Sequence, residues 1–185
     1  MMKKMVFISA LIALFSLGSF AQNANESQED PDVVYAKDLL KSGEQAPNFV
    51  LKDWKGERHE LYQMAPSYKV IEFWASWCPD CRRDLPKVNA LAEKSQTSKL
   101  PVVFIGISYD TNKDAWTKCI NETYKMRNIL ELSELKKWKE TQTSKDYHIN
   151  WIPSYYILDQ QNKVVLSTVD INKIEAKIEE LSQEK

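Results

Sequence analysis

The sequence predicts an α/β domain with a mixed central sheet flanked by helices. Three observations indicate this fold: two nearly continuous apolar runs (KVIEFWA and LPVVFIGISY), a helical pattern after each run, and a closing pair of alternating stretches before an amphipathic end. Continuous apolar runs are typical of strands buried on both faces of a sheet. Because helical crossovers follow these runs, we expect the early strands to be parallel and the closing pair antiparallel.

The N-terminal residues have the pattern of a secretory signal followed by a linker. Two lysines precede an apolar stretch of twelve residues (6–17), and small residues lead up to Ala21. A membrane span needs about 20 apolar residues, so the pattern favours a cleaved signal and a periplasmic location, with an uncleaved membrane anchor as the alternative. The predicted divisions are a signal peptide (1–21), a flexible linker and lead-in (22–42) and one folded domain (43–185).

Composition excludes several classes of function. The 185 residues carry 25 Lys+Arg against 26 Asp+Glu, a net charge of −1, with no basic stripe, which gives no case for nucleic-acid binding. Three cysteines, Cys78, Cys81 and Cys119, are too few for a disulfide-stapled scaffold, and they are odd in number. A domain of this length builds its own core, so the pair at 78 and 81 is not needed as a staple.

The first half of the domain contains a hairpin, a strand and a helix in that order. Two alternating stretches around WKGE predict a β-hairpin, and KVIEFWA predicts a central strand. A helix is expected to begin at the Cys78–Pro79 step and to run towards Glu93. Pro79 suits a first helical position, and Asp80 suits the positive end of the helix dipole.

The second half adds a strand, two helices, a hairpin and a final helix. LPVVFIGISY predicts a buried strand, and DTNKDAWTKCINETY predicts a helix with an Asp or Thr cap and a buried, inert thiol at Cys119. SYYILD and KVVLSTV predict an antiparallel hairpin, and residues 171–185 an amphipathic helix. An inserted helix, with a short strand or turn before it, is predicted from apolar residues at three-residue steps: Ile129, Leu132, Leu135 and Trp138.

Cys78 and Cys81 are the candidate reactive residues. Two cysteines at this spacing can hold a metal, close a small loop or transfer electrons, and a single CxxC is weak evidence by itself. Here Cys78 follows a buried strand and precedes a helix, so first-turn N–H groups and the helix dipole favour its thiolate, the species that attacks disulfides. Cys81, one turn further on, is placed to resolve the mixed disulfide that such an attack forms.

The segment VIEFWASWCPDC resembles the active-site segment of thioredoxin-fold proteins. Pro86 matches the proline that kinks the active-site helix of these proteins, and WIPSYYILD resembles the segment with their cis-proline. Three further features make the resemblance more specific, to exported TlpA/ResA-like thiol-disulfide oxidoreductases: GEQAPNFVLKDWKG, VVFIGISYD…DAW and an insert at about 124–146. This resemblance extends from about Gly43 to the C-terminus. The resemblance implies a thioredoxin fold with an N-terminal β-hairpin and a helical insert before the cis-proline.

Two acids have roles that the resemblance implies. Glu72 matches the buried acid of the family, and we expect it to have a raised pKa and to accept the proton of Cys81, the alternative being an outward-facing residue. Asp84 stands where ResA-like members carry an acid near the cysteines, or else it is a solvated helix residue.

Other residues of the resemblance are expected to modulate the site. Trp77 is expected to cover one side of the Cys78 sulfur, to pack in the core, or both. Pro153 is expected at a cis bond after Ile152, although trans is the default, and there it would offer a backbone edge to an extended client. Pro79 and Asp80 between the cysteines, with Ile152, are expected to tune the redox potential.

Two glycines usual in the family are replaced by Asn150 and Asn162, which is tolerable if both asparagines adopt positive φ. His59 and His148 are expected to face solvent.

The expected function is reduction of disulfides in exported proteins, with apocytochrome c as the client that the resemblance suggests. An oxidising compartment implies a membrane thiol donor that recharges the dithiol. We expect a monomer with no cofactor or metal. Asp80, Ile152 and Glu72 favour the reducing direction without deciding it, so a disulfide oxidase or isomerase is the alternative. Further alternatives are a peroxidase, whose Pro-x-x-x-Thr-x-x-Cys loop is missing from WASWC, and a metal module, which lacks a second close ligand pair.

Overall fold

A seven-stranded sheet organises residues 29–98, 100 and 102–183, the part of the chain that the computed structural model describes. The strands are β1 (Val50–Asp53), β2 (Arg58–Glu60), β3 (Tyr68–Trp74), β4 (Val102–Ser108), β5 (Ile129–Ser133), β6 (Ser154–Leu158) and β7 (Val164–Thr168). The α-helices are α1 (Pro31–Tyr35), α2 (Pro79–Ser95), α3 (Lys113–Lys118), α4 (Gln142–Asp146) and α5 (Ile171–Gln183).

The sheet is mixed, as predicted, in the order β2-β1-β5-β4-β3-β6-β7. β3 pairs with β4 in parallel and with β6 antiparallel, and β4 pairs with β5 in parallel. Six of the seven β3 residues are buried. The predicted central position of KVIEFW is therefore confirmed, as are the two hairpins, β1–β2 and β6–β7.

Helices and loops cover opposite faces of the sheet. α2 and α5 lie side by side on one face, where Lys87 and Lys94 of α2 pair with Glu175 and Glu179 of α5. On the other face, Phe73 packs against an aromatic group from the loops and from β6. Its members are Tyr109, Tyr147 and Tyr156.

α2 begins where the sequence predicts. Cys78 is its N-cap, Pro79 occupies the first turn, and Pro86 lies inside the helix. Proline is favoured in a first turn because the missing N–H has no helical partner to bond. The thiol pair is therefore held between the end of a buried strand and the start of the longest described helix.

Only the end of the 124–146 insert is helical. The stretch whose apolar steps predicted a helix instead forms β5, and helical turns follow at Trp138–Glu140 and α4. The short strand predicted before the inserted helix is therefore present as β5, but helical structure begins only at Trp138, because Ile129 and Leu132 lie in β5, which pairs with β4 and β1. Pairing across the sheet decided the local structure.

Two cap details differ from prediction. Asn112, and not an Asp or Thr, caps α3, by accepting a hydrogen bond from the Ala115 N–H. Asn162 has the expected positive φ of 61°, but Asn150 does not; the residue with φ of 54° is His148. The left-handed position falls there because α4 ends in a Schellman-type turn, in which the Ile149 N–H bonds the Ser144 carbonyl.

The lead-in before the domain is packed where the structure describes it. Leu39 and Leu40 are buried, and the Asp32 carboxylate accepts hydrogen bonds from Thr168 and Val169. Of the apolar side chains in VVYAKDLL, those of Ala36, Leu39 and Leu40 are buried, whereas those of Val33, Val34 and Tyr35 are exposed. The predicted signal peptide lies outside the described residues. Within them, none of the helices has the length and apolar character needed to cross a bilayer.

Candidate active site

The two cysteines of CPDC form a disulfide at the start of α2. Their Cα atoms are 5.3 Å apart, and Cys78 is 5% exposed while Cys81 is fully buried. The Cys81 backbone N–H points at Cys78 Sγ, at 3.1 Å. In the reduced protein the same N–H and the helix dipole favour negative charge on Cys78, the more accessible of the two sulfurs.

A backbone edge runs beside Cys78. The Ile152–Pro153 bond is cis, and the Ile152 carbonyl oxygen lies 3.7 Å from Cys78 Sγ. β6 begins directly afterwards, at Ser154. An extended client segment laid against this edge would bring its own sulfur to Cys78.

Glu72 lies on β3 in the interior. It is 1% exposed, and its Oε1 atom is 3.4 Å from the Tyr155 hydroxyl of β6. Burial, then the negative charges of Glu131 and Asp84, raise the pKa of Glu72 well above its ordinary value, while the Tyr155 hydrogen bond opposes the rise. The Glu72 carboxyl therefore holds its proton more tightly than a glutamate exposed to water does.

Asp84 is brought to the same place by α2. Its side chain is 15% exposed, and its Oδ2 atom is 3.2 Å from the Tyr155 hydroxyl. Burial raises the pKa of Asp84, while Tyr155 and Arg83 oppose the rise. Asp84 follows Cys81 by three residues, so the two side chains share one helix face, and that face is turned towards Glu72.

The residues around the cysteines occupy the rim. Trp77 is 56% exposed, so it does not pack in the core. Asp80 is paired with Arg83, with Asp80 Oδ1 to Arg83 Nη1 at 2.8 Å. Asp80 also lines a groove beside the dithiol, together with Pro153.

Asp110 is a buried acid that sequence reasoning missed. It accepts hydrogen bonds from the Ser76 N–H at 2.9 Å, the Ser76 hydroxyl at 2.6 Å and the Ser108 hydroxyl at 2.7 Å. These contacts hold the loop that leads into Cys78. The available signal was its place just past the carboxyl end of β4, beside the end of the parallel β3.

Glu131 is a second missed acid, on β5. Its Oε2 atom accepts a hydrogen bond from Trp74 Nε1 at 3.1 Å. Burial raises the pKa of Glu131 to about 8, although the indole N–H groups of Trp74 and Trp116 lower it. The prediction of a helix over this stretch concealed Glu131.

Cys119 and the histidines lie apart from the dithiol. Cys119 is a free, buried thiol, and burial, with the charges of Asp110 and Glu131, raises the pKa of Cys119 to about 11. His59 does not simply face solvent: its Nε2 atom lies 3.3 Å from Asp53 Oδ2 in the first hairpin.

A groove of about 600 Å³ opens next to the cysteines. Tyr35 of α1 stacks on Trp151, with ring centroids 4.0 Å apart, and both line the groove. Pro153, Asp80 and Asp84 line it as well. The lead-in segment thus supplies part of the surface around the reactive sulfur.

The chain is similar to known proteins in sequence and in fold. Residues 42–167 match the profile described as the AhpC/TSA family. The chain is 25% identical over 164 residues to the thioredoxin-like protein YneN of Bacillus subtilis, covering 89% of this chain and 88% of that protein. It is 26% identical over 129 residues to the thiol-disulfide oxidoreductase ResA of Bacillus thuringiensis, covering 70% of each chain. The thioredoxin domain of a thiol-disulfide oxidoreductase from Bacteroides vulgatus has the same fold, with a TM-score of 0.66, 23% identity, and coverage of 77% of this chain and 99% of that domain.

Proposed function

The chain belongs to the AhpC/TSA family, as a TlpA/ResA-like member of the thioredoxin superfamily, and on this premise we propose that it reduces disulfides of exported proteins. One observation carries the proposal: Cys78 lies at the N-terminus of α2, next to the Ile152 carbonyl, and is joined to the fully buried Cys81. A thiol pair at a helix start is a disulfide-exchange centre when one sulfur is accessible and the other is buried behind it.

The reaction proceeds in two exchanges. The Cys78 thiolate attacks a client disulfide, forming a Cys78–client bond and releasing one client thiolate, which takes a proton from solvent. Cys81 then gives its proton to the Glu72 carboxylate and attacks Cys78 Sγ. The second client thiolate leaves and is protonated, so the client gains two electrons and two protons while Cys78 and Cys81 become a disulfide.

Client binding uses the backbone edge and the groove. An extended segment pairs along Ile152 and Pro153 in the manner of an added strand, and its side chains enter the groove walled by Tyr35 and Trp151. Trp77, Pro79, Asp80 and Ile152 modulate this encounter. The N-terminal signal pattern and the kinship with ResA support export to the periplasm, a membrane thiol donor that restores the dithiol, and apocytochrome c as a client.

The test is insulin reduction by the protein with dithiothreitol as donor. Cys78→Ala is expected to abolish the reaction, and Cys81→Ala to accumulate mixed disulfides visible on non-reducing gels. Cys119→Ala is the matched control and should retain wild-type rates. Full activity of Cys78→Ala would end the mechanism.

Direction is decided by the redox potential of the dithiol against glutathione. Reductants of this kind lie near −270 mV and oxidants near −120 mV, a gap of about 7 kcal/mol. A potential near the first value supports reduction. A potential near the second value would assign the protein to disulfide formation or isomerisation.

Membership of the AhpC/TSA family makes a peroxidase the second candidate. The peroxidase loop has the pattern Pro-x-x-x-Thr-x-x-Cys, and WASWC has neither its Thr nor its Pro. We therefore expect no consumption of hydrogen peroxide with a thiol donor. Consumption that depends on Cys78 would favour the peroxidase.

A further inference from the structure

Four residues form one row across the sheet beneath α2. Tyr155 pairs with Glu72, Glu72 with Gly106, and Gly106 with Glu131, on strands β6, β3, β4 and β5. Residues paired across neighbouring strands project from the same face, so the two glutamates lie on one side with a glycine between them.

The glycine makes room for the Glu131 carboxyl. A Cβ atom placed on Gly106 would fall on the carboxyl group of Glu131. The Glu131 side chain therefore leans across β4 in the direction of β3. Its Oε2 atom is held there by Trp74 Nε1, which projects from β3 itself.

The two carboxyls differ in how well their charge is supported. The Glu131 Oε2 atom accepts a hydrogen bond of 3.1 Å from Trp74 Nε1, while its Oε1 atom has no hydrogen-bond partner among the described residues. Glu72 has the Tyr155 hydroxyl, which it shares with Asp84, and its Oε2 atom has no hydrogen-bond partner among the described residues. Two buried carboxyls near one another do not ionise together readily, so the first charge of the pair resides on Glu131.

We propose that Glu131 is a positioning residue for disulfide exchange: its carboxylate, fixed over Gly106 by Trp74, sets the pH at which Glu72 can accept the proton of Cys81. The proposal rests on the role given to Glu72 under the proposed function. Burial and the charge of Glu131 are the two largest causes that raise the pKa of Glu72. The charge of Glu131 thereby moves the pKa of Glu72 in the direction of a thiol's, and proton exchange is more efficient between groups of similar pKa.

The size of the effect follows from the sheet. The backbones of Glu72 and Glu131 are two strand spacings apart, which is about 10 Å. At an effective dielectric constant of about 20, a charge at this distance shifts a titration by about one pH unit. The other titratable groups that face the pair are Asp84, Tyr155, Asp110 and Cys119. The first three are the same in all the variants compared, and Cys119 is replaced by alanine in all of them.

The test isolates the attack by Cys81. Reduced protein mixed with one equivalent of Ellman's reagent releases a first thionitrobenzoate when Cys78 attacks, and a second when Cys81 resolves the adduct. The rate of the second release is measured from pH 5 to pH 10 in the Cys119→Ala background. The variants compared are wild type, Glu72→Gln, Glu131→Gln, Glu131→Asp and the double Glu72→Gln/Glu131→Gln.

The rate of the second release is expected to rise with pH over the range in which Glu72 loses its proton, and we call this rise the ionisation limb. We expect Glu131→Gln to move the limb about one pH unit towards acid. Glu131→Asp keeps the charge and should leave the limb near its wild-type position. In the Glu72→Gln background, Glu131→Gln should have no further effect. Glu179→Gln, an exposed acid on α5, is the control for a changed net charge.

The possible failures can be told apart. If Glu72→Gln loses the limb while Glu131→Gln leaves it in place, Glu131 has no such role and the role of Glu72 stands. If Glu72→Gln retains the limb, the role of Glu72 fails and this inference fails with it. If Glu131→Gln does not fold, carbon-13 NMR of the Glu72 carboxyl in the wild type replaces it. A step in the Glu72 chemical shift at the pH where Glu131 ionises supports the coupling of the two acids, and the absence of such a step overturns the proposal.

Discussion

The Tyr155 hydroxyl of β6 lies 3.2 Å from the Asp84 carboxylate of α2. This contact joins the strand that follows the cis-proline to the helix that carries both cysteines. Because the same hydroxyl also reaches Glu72, it connects the buried acid to one that is partly open to solvent.

Removing the Tyr155 hydroxyl should shift the pH profile of the second release in the direction opposite to the shift expected for Glu131→Gln. Tyr155→Phe removes a hydrogen bond that lowers the pKa of Glu72 and of Asp84. Hydrogen bonds to charged groups contribute about 1.5–3 kcal/mol, so we expect the limb of the second release to move about one to two pH units towards alkali. The pH profile of that release checks it.

Tyr156→Phe is the matched control for this variant. Tyr156 is the next residue, and its hydroxyl bonds the backbone of Leu40 and Tyr147 on the other face of the sheet. Its loss should lower stability by about 1 kcal/mol and leave the pH profile unchanged. Equal profiles for the two variants would contradict the assignment.

Stability should fall as pH rises through the neutral range. Glu131 has a pKa of about 8 in the folded protein, above its ordinary value of 4.5, and the pKa of Glu72 is also raised. A carboxyl whose folded pKa is raised contributes stability that is fully present below its unfolded pKa and lost as pH rises through its folded pKa. The free energy of unfolding should therefore decrease from pH 5 to pH 8, by at most about 1.4 kcal/mol per pH unit for each group.

Urea unfolding at pH 5, 6, 7 and 8 measures this slope. Glu131→Gln should flatten it, because the amide does not titrate. Parallel slopes in wild type and variant would show that Glu131 ionises alike in the folded and unfolded chains.

Gly106 should not tolerate a side chain. Gly106→Ala places a methyl group against the Glu131 carboxyl and is expected to destabilise the protein by about 1–3 kcal/mol. In the Glu131→Ala background the same change should cost about 1 kcal/mol less, because the obstructing carboxyl is gone. A double-mutant cycle of unfolding free energies checks this, and additive costs would place the clash elsewhere.

Cys119 should stay unmodified in the native protein. Burial raises its pKa to about 11, so at pH 8 the thiol is almost entirely protonated as well as covered. Iodoacetamide added to the reduced native protein should alkylate Cys78 first and Cys119 only after unfolding in urea, as followed by mass spectrometry. Alkylation of native Cys119 at the rate of Cys78 would make it a candidate third redox group.

Features set by neighbouring residues were predictable. The β1–β2 and β6–β7 hairpins, the buried β3 and the start of α2 at Cys78 depend on patterns within about ten residues, and the structure confirms them. The cis Ile152–Pro153 bond followed from the family resemblance and is also present. Local preferences and tertiary packing agree at these places.

Features that depend on strand pairing could not be predicted from the sequence. The predicted helix began too early, within β5, because a stretch covered on both faces carries no alternation. The packing of Leu39 and Leu40 was missed because only the distant sheet edge gives them a site. The Tyr155 hydroxyl and the Glu131 carboxyl were missed for the same reason. Each meets its partner across more than fifty residues of chain.

The sequence by itself determined the reacting pair, since the spacing of Cys78 and Cys81 and the strand-to-helix change around them are local. Glu72 and Asp84 were expected from the family resemblance, but only the tertiary structure added Glu131 to these acids. The register of four strands puts Glu72, Gly106 and Glu131 in one row, and the absent side chain of Gly106 lets the two acids share the space. Burial in that row, which no single segment specifies, is what raises the pKa of Glu72 and of Glu131.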